Sequence, residues 1–143
     1  MDSYRVIEVK QSVFEDNNKD AEKLRAQMKE EKTLLVNLMS SPGSGKTSTL
    51  TKLIDNLKSD TKIGVMEADI DSDVDAKTIS YTGAKVIQLH TGGMCHLDAG
   101  MSEEGLAELG NADIVFLENI GNLVCPAEFD TGAHIKLVLL SVT

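Results

Sequence analysis

The sequence predicts an α/β domain on a mostly parallel sheet, layered between helices. Three observations carry this. Apolar runs of strand length recur along the 143 residues, the first being Thr33–Met39, TLLVNLM. Strands buried on both faces read as such nearly continuous apolar runs. Between the runs lie segments whose apolar residues fall at helical spacing. The first run passes straight into a Gly-containing loop and then an amphipathic segment, the order strand, loop, helix.

Asp16–Lys32 is polar with apolar residues at Ala21, Leu24 and Met28, which gives a helix with a narrow apolar stripe. With the residues before it, this helix makes an N-terminal segment, 1–32, ahead of a main domain, 33–143. Lys46–Lys58 places Leu50, Leu53, Ile54 and Leu57 on one helical face. Lys62–Glu67 is a second strand, and a short helix covers Asp73–Tyr81. Ala84–Leu89 is a third strand. The segment after it holds a helix whose bounds Gly100 and Gly105 blur. Asp113–Glu118 and Ile135–Val142 are the fourth and fifth strands. The chain stops just after a strand, where an α/β domain carries a helix onward, so the C-terminal part of the domain is expected to be missing.

Composition narrows the partners. The formal net charge is −9, which argues against nucleic acid or an anionic membrane surface. No apolar run approaches the roughly 20 residues of a membrane span, and Met1–Gln11 has no signal-peptide core, so a cytoplasmic location is expected. Aromatic residues are 3% and Trp is absent, so the core must be aliphatic. A structural disulfide between Cys95 and Cys125 is not expected in a reducing compartment.

Ser40–Thr47, SSPGSGKT, fits a Walker A loop except that Ser40 stands where the pattern has its first Gly. Gly43, Ser44 and Gly45 turn backbone N–H groups inward as an anion nest. Lys46 reaches the β- and γ-phosphates, the Thr47 hydroxyl is a Mg²⁺ ligand, and Ser48 completes the cofactor-binding set. The following helix aims its positive end at the phosphates. After the second strand comes an acidic loop with Asp69, Asp71, Asp73 and Asp75. A carboxylate there can hold Mg²⁺ or orient water, Asp69 being the best placed; a solvated loop with a helix cap is the competing reading. The fourth strand ends in Glu118, as a Walker B strand ends in a Mg²⁺-binding acid, and Gly121 can offer its N–H to a γ-phosphate. Cys95, His96 and Cys125 are soft and borderline donors for Zn²⁺ or Ni²⁺, one ligand short of a tetrahedral site. From spacing alone, free buried thiols are the stronger reading, and His90 and His134 are more readily hydrogen-bonded loop or core residues.

Together NLMSSPGSGKT, GGMCHLDAGM and ENIGNLVCPAEFDTG resemble the HypB family, nickel-inserting GTPases of [NiFe] hydrogenase maturation within the SIMIBI class of P-loop NTPases. The resemblance runs in order from about Asp16 to Thr143. It implies a P-loop NTPase three-layer sandwich that hydrolyses GTP to GDP with Mg²⁺. It implies that Cys95, His96 and Cys125 bind Ni²⁺ or Zn²⁺ where two protomers of a GTP-dependent homodimer meet. Lys46 and Thr47 then bind phosphates and Mg²⁺, and Asp69, Asp75 and Glu118 line the catalytic switch region. Implied partners are a HypA-type nickel chaperone and the hydrogenase large-subunit precursor. UreG, the urease nickel GTPase, is the nearest alternative, but it has Cys-Pro-His where this chain has Cys95-His96 directly. The family's guanine reader, Asn-Lys-x-Asp, does not occur here and is expected beyond residue 143. Nor is there an N-terminal Cys-rich motif or a His-rich tract. Two other classes remain. A P-loop small-molecule kinase would need an Arg-rich lid, and the chain has only Arg5 and Arg25, both before the loop. A metal-storage module with an inactive P-loop would show damage at Lys46 or Thr47, and both are intact.

Overall fold

The structure, a computed structural model, describes residues 4–8, 14–40, 46–68, 74–90, 97–119 and 130–140. In chain order they form β1 (Tyr4–Glu8), α1 (Phe14–Glu30), β2 (Leu34–Ser40), α2 (Lys46–Leu57) and β3 (Ile63–Ala68). Then come α3 (Val74–Ser80), β4 (Lys85–His90), α4 (Ala99–Leu109), β5 (Ile114–Glu118) and β6 (Ile135–Leu139). The strands make one sheet in the order β1-β4-β3-β5-β2-β6, and every pairing is parallel. Parallel neighbours need long crossovers, and the helices supply them.

The helices divide between the two faces. Leu24 and Met28 of α1 pack with Leu106 and Leu109 of α4, over Leu35, Met66, Ile87 and Leu117 of the sheet. Leu50 and Ile54 of α2 pack with Ala76 and Ile79 of α3, over Val36, Val65, Val86 and Phe116. The result is the three-layer α/β sandwich that the alternating pattern predicts. The apolar stripe on α1 is core: Ala21, Leu24 and Met28 are all buried. So is the stripe on α2, where Leu50 and Ile54 are fully buried.

β1 is the element that the sequence pattern does not announce. Its five residues, YRVIE, carry two charges, Arg5 and Glu8, as fits an edge strand with one neighbour. It pairs with β4 from Tyr4 opposite Val86 to Glu8 opposite His90. An ion pair from Arg5 to Glu108 at 2.7 Å ties it to α4. The segment before α1 therefore joins the same sheet as the rest of the chain.

Gly105 sits inside α4 for a packing reason. A Cβ there would come within 2.5 Å of Met66 Sδ and 3.0 Å of Leu89 Cδ2, so glycine lets α4 lie close on β3 and β4. The helix starts at an Asp98 N-cap, whose Oδ1 accepts the Met101 N–H at 2.9 Å.

Candidate functional site

In an all-parallel sheet the strand ends share one edge, and ligands sit outside the carboxyl ends. β2, β3, β4 and β5 stop at Ser40, Ala68, His90 and Glu118. The segments carrying the predicted chemistry leave from that edge: 41–45, 69–73, 91–96 and 120–129. Gly43, Ser44, Gly45, Asp69, Cys95, His96, Gly121 and Cys125 lie in them, outside the described residues. So do the side chains of Lys46 and Asp75, although their backbone is described. Lys46 is the first residue of α2 and Asp75 the second of α3.

Lys46 thus opens the helix after β2, where a phosphate loop requires it. Thr47 follows, half-buried, and its carbonyl accepts the Thr51 hydroxyl at 2.8 Å. Ser48 is exposed.

Glu118 ends β5 and is 1% exposed. Strand alternation puts it on the same face as Phe116, under α2 and α3. In register beside it is Glu67 of β3, also 1% exposed, and beside Glu67 is Gln88 of β4. A row Gln88–Glu67–Glu118–Leu38 therefore crosses the sheet just below the loops, on the face that carries the P-loop helix. Adjacent strands are about 4.8 Å apart. A carboxylate is a hard oxygen donor of the kind Mg²⁺ takes. Glu67 was open to the same strand-end reasoning that identifies Glu118: the run Lys62–Glu67 also closes on an acid.

The end of β5 is pinned to β2. The Asn119 N–H donates to Leu38 O at 3.0 Å, and its Nδ2 donates to the buried Asn37 Oδ1 at 3.1 Å. These bonds fix the exits of segments 41–45 and 120–129 relative to each other.

A second cluster lies on the α1/α4 face. Asp130 receives both short bonds from Arg25 Nη2, at 2.6 and 2.8 Å, and Arg25 Nε donates to Ala133 O at 3.0 Å. Asn17, 1% exposed, accepts the Ala99 N–H at 2.7 Å and donates to Asp130 O at 2.9 Å. The sequence gives no sign of these pairings, because they join residues 82 to 113 positions apart. His134 is structural, as expected. Its Nδ1 accepts the Leu35 N–H at 3.1 Å, and its Nε2 lies 3.0 Å from Arg25 O, to which it donates.

Among the described residues, no three His, Cys, Asp or Glu side chains converge as a metal-holding set. No helix there is long and apolar enough to cross a membrane. A cavity of about 290 Å³ between α1 and α4, lined by Leu24, Thr33, Leu106 and Asn111, opens near the amino ends of the strands, away from the row of acids.

The sequence model described as CobW/HypB/UreG, nucleotide-binding domain, matches residues 34–139. The hydrogenase maturation factor HypB of Escherichia coli K12 is 46% identical over all of this chain, which spans 50% of that relative's length. The crystal structure of hydrogenase maturation factor HypB from Archaeoglobus fulgidus superposes with a TM-score of 0.81 at 38% identity, covering 90% of this chain and 63% of that one. HypB from Helicobacter pylori in complex with nickel gives 0.76 at 36% identity, over 86% and 59%. These relatives are HypB proteins, as the three motifs imply, and their fold is the parallel sandwich described above. The chain belongs to the CobW/HypB/UreG family of nucleotide-binding domains.

Proposed function

We propose that this domain binds and hydrolyses GTP, and that it couples nucleotide state to the handling of nickel for [NiFe] hydrogenase maturation. The observation that carries the nucleotide reading is the meeting of two features on one sheet face: Lys46 at the start of α2, and the buried Glu118 at the end of β5. The metal reading draws support from a relative of known structure, 36% identical, that was solved with nickel.

Lys46 and the N–H groups of Gly43, Ser44, Gly45 and Thr47 would stabilise charge building on the γ-phosphoryl. Asp75 would position the attacking water, and Gly121 would sense the γ-phosphate. Mg²⁺, held by Thr47, Asp69 and Glu118, would neutralise phosphate charge. Glu67, beside Glu118, adds a second hard donor. Nickel, or zinc in its place, is the cargo of Cys95, His96 and Cys125, completed across a homodimer. A HypA-type chaperone would supply the metal, and a hydrogenase large-subunit precursor would receive it. UreG-like service to urease is the alternative within the family.

The packing of the two arginines counts against the kinase alternative. Arg5 pairs with Glu108 and Arg25 with Asp130, on the edge and face away from α2, so neither is placed to close over a phosphate. The discriminating experiment is turnover of GTP with no acceptor but water. Phosphate release that vanishes in Lys46→Ala supports the GTPase reading. Turnover that requires an added acceptor would replace it with the kinase.

A further inference from the structure

We propose that Asn37, on β2, is a positioning residue for the Glu118 carboxylate, setting the acid that closes β5 against the strand that leads into the P-loop. This inference rests on the reading of Glu118 as a Mg²⁺ ligand. Asn37, Leu38, Glu67, Glu118 and Asn119 all belong to the described residues.

Glu118 is the last residue of β5, and the ends of elements fray unless something holds them. Two bonds hold this end, both made by the next residue. The Asn119 N–H donates to Leu38 O at 3.0 Å, and Asn119 Nδ2 donates to Asn37 Oδ1 at 3.1 Å. Leu38 stands opposite Glu118 in the ladder, and Asn37 opposite Leu117. The end of β5 is thus clamped to β2 immediately past the acid. Strand alternation sends Glu118 to the α2/α3 face with Phe116, and sends Asn37 and Asn119 to the α1/α4 face with Leu35 and Leu117. The amide pair therefore fixes the acid from behind the sheet and leaves its own face clear for a cation. Mg²⁺ demands near-ideal octahedral geometry from oxygen donors, so where a carboxylate sits decides how well it binds.

Asn37 is a costly residue for a purely structural place. It is fully buried, and its neighbours along and across that face of the sheet include Leu35, Met39 and Leu117, all buried too. Its oxygen takes the Asn119 bond, but among the described residues its Nδ2 has no partner. A buried amide N–H without an acceptor opposes folding, and an aliphatic side chain would suit the core better. Local rules broken in this way concentrate at functional sites. Support of this indirect kind usually changes metal affinity by roughly ten- to a hundredfold when removed.

Asn37→Val is the sharpest test. It removes the amide bond and leaves a good strand former in the core. The probe is Mn²⁺, which takes the same octahedral oxygen sites as Mg²⁺. Mn²⁺ is titrated into the protein with GDP, and the free ion is read by electron paramagnetic resonance. GDP affinity is measured separately with divalent cations removed. The expected result is about tenfold weaker Mn²⁺ binding with the metal-free GDP affinity unchanged. Asn37→Ser, whose side chain is too short to reach Asn119, should weaken Mn²⁺ in the same direction, and it serves should Asn37→Val fail to fold. Met28→Val, in the α1/α4 core, should lower Tm with Mn²⁺ binding intact. The inference is overturned if Asn37→Val and Asn37→Ser bind Mn²⁺ as the parent does while Glu118→Gln has lost it. If Glu118→Gln also binds Mn²⁺ as the parent does, the reading of Glu118 as a Mg²⁺ ligand falls, and this inference with it. A loss in Met28→Val equal to that in Asn37→Val would reduce Asn37 to a stabilising residue.

Discussion

Glu67 and Glu118 stand side by side on β3 and β5, in register, each 1% exposed. They close the sheet face that carries the P-loop helix. Carboxylates on neighbouring strands repel when both are charged, and a divalent cation bound beside them would offset that repulsion. Replacing Glu118 by Gln should lower GTP turnover about a hundredfold. Glu67→Gln should lower it about tenfold and raise the Mg²⁺ needed for half-maximal rate. Steady-state phosphate release across a Mg²⁺ titration reads both. A Mg²⁺ curve unchanged in Glu67→Gln would remove Glu67 from the site.

Lys46 opens α2, and no other cation on that helix sits at the phosphate end: Lys52 lies nearly two turns further on. Lys46→Ala should cost about a hundred- to a thousandfold in hydrolysis, the range for one lost charge-stabilising donor. Phosphate release in single turnover measures this without interference from product.

Gly132 adopts φ +89°, and a Cβ there would meet Leu24 Cδ2 at 2.8 Å. Gly132→Ala should destabilise the fold by about 2 kcal/mol, combining left-handed strain with a clash against a buried leucine. That corresponds to a fall in Tm of very roughly 8 °C for a domain of this size. Thermal unfolding followed by circular dichroism reads it.

His134 has both ring nitrogens engaged, one by the Leu35 N–H and one with Arg25 O. His134→Ala should therefore lower stability by about 1–3 kcal/mol, the cost of buried groups left without partners. Nickel stoichiometry, read by equilibrium dialysis, should stay at the parental value, whereas Cys95→Ala should reduce it.

Much of this was legible in the sequence because periodicity records burial. Leu50 and Ile54 of α2, and Ala21, Leu24 and Met28 of α1, are where the apolar spacing puts them. Lys46 was legible because a phosphate loop needs a strand before it and a helix after it. β1 was hidden: YRVIE is short and carries two charged residues, so only its pairing with β4 makes it a strand. Glu67 closes its own apolar run as Glu118 does, but that the two stand side by side was hidden, because they are 51 residues apart and adjacent only through the sheet. Asn17 reads as one more polar residue on a polar helix. Its burial goes with its bonds to Ala99 and Asp130, 82 and 113 positions away, and no local pattern encodes those.

If one domain links nucleotide to nickel, the two ligands must bind interdependently. The direct measurement is calorimetric titration of GTP into the protein with and without bound Ni²⁺, and of Ni²⁺ with and without a non-hydrolysable GTP analogue. The account predicts that each ligand changes the affinity of the other by the same factor, about fivefold or more. Equal GTP affinities in the presence and absence of Ni²⁺ would contradict it.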